Sequence, residues 1–148
     1  MTDTSRFLQP GPLEALFNRL FGILVGWGIG LSHNYLVQVK GRKSGRIYST
    51  PVDVLDYEGK LYLVAPRGET QWVRNARISG EVWLKKGRIR RQYTLRVLED
   101  REKPDILKEY LNRYKTTVQR YFSIPASAPL EAFIGIAQNY PVFELSPK

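Results

Sequence analysis

Six stretches of this chain carry the signals of β-strands, and turns that contain glycine separate several of them. In Tyr35–Lys40, for example, Tyr35, Val37 and Val39 share one face of an extended chain. Such alternation predicts a β-strand with one buried face. The other predicted strands are Ile47–Tyr57, Leu61–Ala65, Val82–Lys86, Arg88–Glu99 and Tyr140–Leu145. Because closing a sheet removes its exposed edges, six antiparallel strands in one domain predict a barrel or a sandwich.

Three segments between the strands predict helices, so the predicted fold class is α+β, mainly β with flanking helices. Thr70 is a suitable N-cap for a short helix from Gln71 to about Ile78. Pro104 opens a second helix, and a third helix covers Leu130–Ala137.

The N-terminal part of the chain differs in character from the strands. Residues 1–12 predict a loose arm, and residues 13–31 predict an apolar helix that packs on the domain or lies in a membrane interface. The uninterrupted apolar run from Leu20 to Leu31 is shorter than the ~20 residues that span a bilayer. No signal-peptide pattern is visible. We therefore predict a single domain over residues 1–148, with the barrel and its helices over residues 35–145.

The composition excludes several kinds of site. The chain has no cysteine, which rules out disulfides, zinc-thiolate sites and cysteine nucleophiles, and His33 is its single histidine. We expect no metal site, and a cysteine-free chain suits a reducing cytoplasm. The net charge of +9 favours an anionic partner, which is a nucleic acid, a membrane surface or a small molecule with phosphates and carboxylates.

The turn between the first two predicted strands is rich in basic residues. It reads Gly41-Arg42-Lys43-Ser44-Gly45-Arg46. Glycine permits positive φ angles and the close approach of a ligand, so this turn can direct backbone N–H groups at an anion. Arg42 can grip a phosphate with its planar fork, and Lys43 adds a point charge. A phosphate site and a solvated basic turn are both compatible with the pattern.

A second candidate anion site follows the third predicted strand. Pro66, Arg67 and Gly68 form a loop just before the helix that starts at Gln71. A helix N-terminus carries partial positive charge and unpaired N–H groups, which attract anions. Trp72, in the first turn of that helix, either stacks on a ligand ring or packs in the core.

Basic residues also cluster in the fourth and fifth predicted strands. They are Lys85, Lys86, Arg88, Arg90, Arg91 and Arg96. This hairpin is the strongest argument for a nucleic-acid partner. On the face that Arg88, Arg90 and Arg96 share, no aromatic residue is interleaved, so the stacking platform of single-strand binders is missing. The sequence therefore favours a solvated strand face over a nucleic-acid site.

Four motifs together resemble the deazaflavin-dependent nitroreductase and quinone reductase family. They are Gly41-Arg42-Lys43-Ser44-Gly45, Thr50-Pro51-Val52, Gly59-x-x-Tyr62-Leu63-Val64-Ala65 and Trp72-x-x-Asn75. The resemblance implies a six-stranded antiparallel split β-barrel of the kind found in FMN-binding flavoproteins. It also implies coenzyme F-420 as cofactor, a deazaflavin with a phosphodiester and an oligoglutamate tail. FMN is the alternative cofactor.

The same resemblance implies which residues bind the cofactor. These are Arg42, Lys43, Ser44, Thr50, Pro51, Pro66, Arg67, Gly68 and Trp72. The phosphate would lie at the basic turn, and the deazaflavin ring would lie against Thr50 and Pro51. The segment between Gly68 and Trp72 departs from the family pattern, because it is short and lacks a second glycine.

The implied activity is hydride transfer from reduced coenzyme F-420 to a quinone, a nitroaromatic compound or an activated alkene. A tyrosine hydroxyl would protonate or hydrogen-bond the product, and the candidates are Tyr114, Tyr121 and Tyr140. The alternatives are an FMN-binding barrel and a non-catalytic basic barrel that binds nucleic acid. Two further expectations are a homodimer, by analogy with other split barrels, and peripheral membrane contact through Leu13–Leu31.

Overall fold

The computed structural model of the protein describes residues 33–148. The arm predicted over residues 1–12 and the apolar helix predicted over residues 13–31 lie outside the described residues and stay predictions. Within residues 33–148, no helix has both the length and the apolar character needed to cross a membrane.

Strands and short helices alternate along the described chain. The strands are β1 (Asn34–Lys40), β2 (Ile47–Tyr57), β3 (Lys60–Val64), β4 (Glu81–Lys86), β5 (Ile89–Val97) and β6 (Val142–Pro147). The α-helices are α1 (Gln71–Ser79), α2 (Pro104–Val118) and α3 (Leu130–Ile136). Single 3-10 turns follow β5, α2 and α3.

The strands form a closed barrel in the order β1-β2-β3-β6-β5-β4. All neighbouring strands are antiparallel. Closure gives every strand two neighbouring strands, which leaves less unpaired edge along the described sheet than an open arrangement would. The predicted fold class, a six-stranded antiparallel β-barrel with flanking helices, is confirmed.

Strand β2 passes from one side of the barrel to the other. Its residues 47–53 pair with β1, and its residues 54–57 pair with β3. Pro51 lies in the first of these parts, opposite Leu36 of β1. Among the described residues, this part of β2 is paired on the β1 side only. Proline has no N–H to donate, and a strand paired on one side tolerates it. Pro51 thus occupies a position where a missing N–H leaves no unpaired acceptor on a second strand.

The barrel interior is filled by apolar side chains that alternate along the strands. Val37, Val39, Leu63 and Phe143 are each 0% exposed. Helix α1 packs its Val73, also 0% exposed, into the same cluster. Burying an aliphatic side chain of this size contributes about 1.5–3 kcal/mol. The apolar side of α1 is therefore what holds this helix against the barrel.

A second apolar core lies outside the barrel wall. Leu55 on β2 points away from the barrel interior and packs with Tyr110 and Leu111 of α2 and Phe133 of α3. All four side chains are at most 2% exposed. Helices α2 and α3 therefore cover one outer face of the barrel, and the basic turn between β1 and β2 lies outside this helical layer.

The last two strands differ from their predicted bounds. The N–H of Tyr140 donates to Ala137 O at 3.1 Å and closes a 3-10 turn, so β6 begins at Val142. Strand β5 ends at Val97, because Glu99 and Glu102 form a capping box around the following 3-10 turn. Alternation of apolar residues alone does not reveal such local hydrogen bonds.

Candidate functional site

The turn that joins β1 to β2 is closed by its own backbone. Gly41 N–H donates to Arg46 O at 2.7 Å, and Gly45 N–H donates to Gly41 O at 3.0 Å. Gly45 has a φ of 74°, in the left-handed region that L side chains rarely adopt. The basic residues between these glycines are consequently held on a defined turn.

The side chain of Ser44 is part of the same turn. Its hydroxyl accepts a hydrogen bond from Arg46 N–H at 3.2 Å and lies 3.1 Å from the hydroxyl of Tyr48. A Cβ atom on Gly41 would stand 2.7 Å from the Tyr48 ring and 2.9 Å from the Ser44 hydroxyl. Gly41 therefore makes room for Tyr48 and Ser44 to fold over the turn.

The two basic residues at the centre of the turn have different surroundings. Lys43 is exposed, whereas Arg42 is half-buried and is bound to helix α1. Asn75 of α1 accepts hydrogen bonds from the Arg42 backbone N–H at 3.1 Å and from its Nη1 at 2.8 Å. The sequence motif contains Asn75, but sequence reasoning assigned it no role.

The second predicted loop connects β3 to the same helix. Gly68 N–H donates to Ala65 O at 3.1 Å, and Gly68 is buried with a φ of 84°. Pro66 and Arg67, between them, are half-buried. Helix α1 starts only a few residues later, at Gln71. The basic turn therefore contacts the side of α1 at Asn75, and the Pro66–Gly68 loop lies at the N-terminus of the same helix.

Glu69 follows the single glycine of this loop. Its carboxylate forms an ion pair with the Arg77 guanidinium on α1. A carboxylate beside an anion site opposes binding by charge repulsion. The pairing with Arg77 offsets that charge and accounts for how the loop accommodates a glutamate.

Thr70 occupies the N-cap position of α1 without capping it. Its backbone is extended (φ −76°, ψ 174°), yet its side chain makes no capping hydrogen bond. The hydroxyl is buried and has no hydrogen-bond partner among the described residues. A buried hydroxyl left in that state costs about 1–3 kcal/mol. A polar ligand at the loop would satisfy it, whereas the sequence predicts only a capping role for Thr70.

The residues predicted to hold a ring lie further along the barrel. Thr50 is opposite Val37 in the β1–β2 ladder and shares its inward face, whereas Pro51 points to the opposite face. The Trp72 ring is half-buried, 5.9 Å from the ring of Phe143 in the barrel core. Trp72 therefore packs on the core with part of its surface.

The three candidate tyrosines belong to the second apolar core, outside the barrel wall, and do not lie beside the basic turn. The Tyr114 hydroxyl donates to Val54 O at 2.8 Å, and the Tyr140 hydroxyl donates to Tyr121 O. Tyr140 also stacks on Phe122, with ring centroids 4.3 Å apart. Burial raises the pKa of the Tyr114 hydroxyl above its usual value. These contacts stabilise the helical layer.

The single histidine belongs to a polar cluster at the other end of β1. His33 Nε2 lies 3.3 Å from Asp53 Oδ1, and Asn34 Nδ2 donates to the same oxygen at 2.6 Å. The His33 ring stacks on Tyr114 at 4.4 Å. Burial raises the pKa of Asp53, although the nearby His33 works against the shift. The cluster joins the start of β1 to β2 and α2.

The basic β4–β5 hairpin corrects one expectation from the sequence. An aromatic ring does accompany these arginines, since the Arg90 guanidinium lies 4.4 Å above the Trp83 ring on the neighbouring strand. Arg90 Nε also donates to Gln38 Oε1 at 2.6 Å. Sequence spacing along one strand could not show this pair, because it forms across the β4–β5 ladder.

These features define a closed split barrel that carries a basic, two-loop candidate anion site on one helix. The sequence model of the F-420H2-dependent quinone reductases matches residues 16–124 of the chain. The chain belongs to this family of oxidoreductases, whose cofactor is coenzyme F-420. The family resemblance drawn from the four motifs and the predicted cofactor are thereby confirmed. Among curated proteins, none matches the sequence.

Solved structures support the fold. An F-420-H2-dependent reductase is 20% identical, with a TM-score of 0.54, over 78% of this chain and 95% of that one. A structure described as a domain-swapped dimer is 19% identical, with a TM-score of 0.55, over 92% of this chain and 100% of that one. The heme storage protein HutZ from Vibrio cholerae is 8% identical, with a TM-score of 0.54, over 78% and 82% of the two chains. At these identities the likeness concerns the barrel and not the ligand.

The residues around the two loops fit an anionic cofactor of this kind. Arg42 and Lys43 supply cationic donors on a turn with fixed geometry. The buried, unpartnered hydroxyl of Thr70 lies at the N-terminus of α1, beside the Pro66–Gly68 loop. Phosphate oxygens accept hydrogen bonds from all three kinds of donor: guanidinium, ammonium and hydroxyl.

Proposed function

We propose that the protein transfers a hydride from reduced coenzyme F-420 to a quinone, and that its two glycine loops hold the phosphate of the cofactor. The observation that carries the proposal is the attachment of both loops to α1. Asn75 of this helix binds the basic turn, and the Pro66–Gly68 loop leads directly into its first residue. Family membership adds the cofactor and the class of reaction.

In this proposal Arg42, Lys43, Arg67 and Gly68 bind the phosphate. The guanidinium and ammonium groups supply charge, while Gly68 lets the backbone approach closely. The positive end of α1 adds to the attraction. The surplus of positive charge over the whole chain steers a polyanionic cofactor toward the site.

The ring of the cofactor would lie against β2 at Thr50 and Pro51, with Trp72 near the ring and Ser44 near the phosphate. Hydride donation is the chemistry that a reduced deazaflavin supplies. The chain contributes by orienting the two reactants and keeping water away from them. Tyr114, Tyr121 and Tyr140 remain candidates for donating a proton, but the hydrogen bonds of Tyr114 and Tyr140 to backbone carbonyls favour a structural role.

The acceptor proposed first is a quinone, and a nitroaromatic compound or an activated alkene is the next choice. A cytoplasmic location, a homodimer and contact of Leu13–Leu31 with a membrane surface are further parts of the proposal. Sedimentation of the full chain tests the homodimer, and flotation with liposomes tests the membrane contact. A nucleic-acid partner is not favoured, because the Arg90 guanidinium covers the Trp83 ring on which a base would stack.

The direct test is a fluorescence titration of the full chain with coenzyme F-420 and with FMN. The test variant is Arg42→Ala/Lys43→Ala. Its matched control is Arg88→Ala/Arg91→Ala, which removes the same charge from exposed residues around the β4–β5 turn. We expect micromolar or tighter F-420 binding that the test variant loses by about 100-fold and the control retains.

Turnover is then measured with reduced F-420 and a soluble quinone. Folded wild-type protein that binds F-420 but reduces no quinone would redirect the search to nitro compounds and alkenes. Folded wild-type protein that binds no F-420 would overturn the proposal. Binding of FMN alone would establish the alternative cofactor.

A further inference from the structure

The Asn75 side chain holds Arg42 at two points. Its Oδ1 accepts a hydrogen bond from the Arg42 backbone N–H at 3.1 Å and another from Arg42 Nη1 at 2.8 Å. Asn75 is 5% exposed, so these bonds form largely away from water. One oxygen thus restrains both the main chain and the side chain of a single residue of the basic turn.

The two bonds have separate consequences. The backbone bond sets the distance of the Gly41–Arg46 turn from α1, and the Nη1 bond sets the direction of the Arg42 guanidinium. A free arginine side chain has about 2 kcal/mol of rotamer entropy, part of which it loses on binding a ligand. An arginine already held in place loses less of it when the ligand arrives.

The position of Asn75 along α1 connects the basic turn to the Pro66–Gly68 loop. It is about one helical turn from Gln71, the first residue of the helix. The Pro66–Gly68 loop ends just before that first turn. A rigid helix of this length therefore fixes the distance between the loop at its N-terminus and the turn at its flank.

We infer that Asn75 is the positioning residue of the site: by binding Arg42 it holds the basic turn and the Pro66–Gly68 loop in one arrangement that fits a phosphate. This inference rests on the proposed function for the identity of the ligand. The contacts of Arg42 with Asn75 that define the geometry of the turn do not depend on that identity.

The competing explanation is that Asn75 only contributes to stability. Its neighbours Val73 and Ala76 are core residues, so any substitution at Asn75 will destabilise the fold to some extent. Asn34 provides the matched control, because it is 4% exposed and its side chain donates to Asp53 at 2.6 Å. It lies at the opposite end of β1 from the basic turn.

The experiment compares Asn75→Leu, Asn75→Asp and Asn34→Leu with the wild-type protein. Leucine removes both acceptor bonds, whereas aspartate keeps an oxygen in the same place. Hydrogen exchange of the Arg42 amide is measured by NMR in the ligand-free proteins. Coenzyme F-420 affinity is measured by fluorescence, and urea unfolding reports the stability of each variant.

We expect Asn75→Leu to speed exchange of the Arg42 amide and to weaken F-420 binding by about tenfold or more. Asn75→Asp should restore the exchange protection, and Asn34→Leu should bind within about twofold of wild type at a comparable loss of stability. If leucine at position 75 prevents folding, Asn75→Ala replaces it in the same comparison.

Two results would overturn the inference. The first is an Asn75→Leu protein whose F-420 affinity and whose Arg42 amide exchange rate both equal those of wild type. The second is a loss of F-420 affinity in Asn34→Leu as large as that in Asn75→Leu. If the wild-type protein binds no F-420, the proposed function fails, and the Arg42 exchange rates alone decide. Unchanged exchange in Asn75→Leu would then refute the positioning role, and faster exchange would uphold it.

Discussion

The hydroxyl of Tyr114 donates a hydrogen bond to the carbonyl oxygen of Val54, 2.8 Å away, and both residues are buried. This bond joins helix α2 to strand β2 at the point where β2 changes its partner from β1 to β3. A group committed to the fold in this way is poorly placed to exchange a proton with a substrate.

Tyr114→Phe should therefore affect stability more than catalysis. The Val54 carbonyl loses its partner, which we expect to lower the free energy of unfolding by about 1–2 kcal/mol. Turnover of reduced F-420 should stay within about twofold of wild type, since only a transition-state contact changes kcat strongly. A stable Tyr114→Phe protein whose turnover had collapsed would instead identify Tyr114 as the proton donor.

Gly45→Ala should damage the basic turn, because the φ of 74° at this position is strained for a residue with a Cβ atom. We expect a loss of about 1 kcal/mol in unfolding free energy together with weaker cofactor binding. Gly135→Ala is the matched control, since it lies in α3 with nothing within 4 Å of an added Cβ. There the same change should be neutral or stabilising by up to about 1 kcal/mol. Equal effects at both positions in urea unfolding would argue against strain at Gly45.

Acid sensitivity should depend on Glu144. The hydrogen-bonded Arg96 guanidinium holds the pKa of the Glu144 carboxyl below its usual value. Such a group stabilises the fold above its unfolded pKa of about 4.3, and the stabilisation disappears as the pH falls through the lower folded pKa. Glu144→Gln should cost about 0.5–1 kcal/mol at pH ~7, because Arg96 is half-exposed. The difference from wild type should shrink toward pH ~3. Urea unfolding across this range measures it, and a difference that stays constant with pH would rule out this linkage.

Asp53 should behave in the opposite sense. Burial raises its pKa, so its ionised form is disfavoured in the folded state, and this cost is present above the raised pKa and absent at low pH. Asp53→Asn keeps an oxygen that can accept from Asn34 and removes the buried charge. We expect the variant to be more stable than wild type at pH ~8, with the advantage vanishing in acid. A less stable variant at high pH would mean that the contacts of Asp53 with His33 and Asn34 outweigh its desolvation.

Much of the fold was predictable because strand patterns are local. The period-2 placement of Tyr35, Val37 and Val39 anticipates the inward face of β1, on which both valines are 0% exposed. The bounds of β6 were not predictable from alternation, since its start depends on the hydrogen bond from Tyr140 to Ala137.

Residue types and their spacing along the chain were enough to predict six strands, the basic turn and the Pro66–Gly68 loop, and the four motifs indicated the split barrel, the family and the cofactor. Strands, turns and motifs are patterns of residues that are close in the sequence, so the sequence shows them directly. The packed fold was needed to show that Asn75 binds Arg42 across 33 positions, that Arg90 covers Trp83 and that Tyr114 is hydrogen-bonded to Val54. Contacts of this kind depend on how strands and helices pack in space, and side-chain hydrogen bonds between distant residues leave no periodic signal in the sequence.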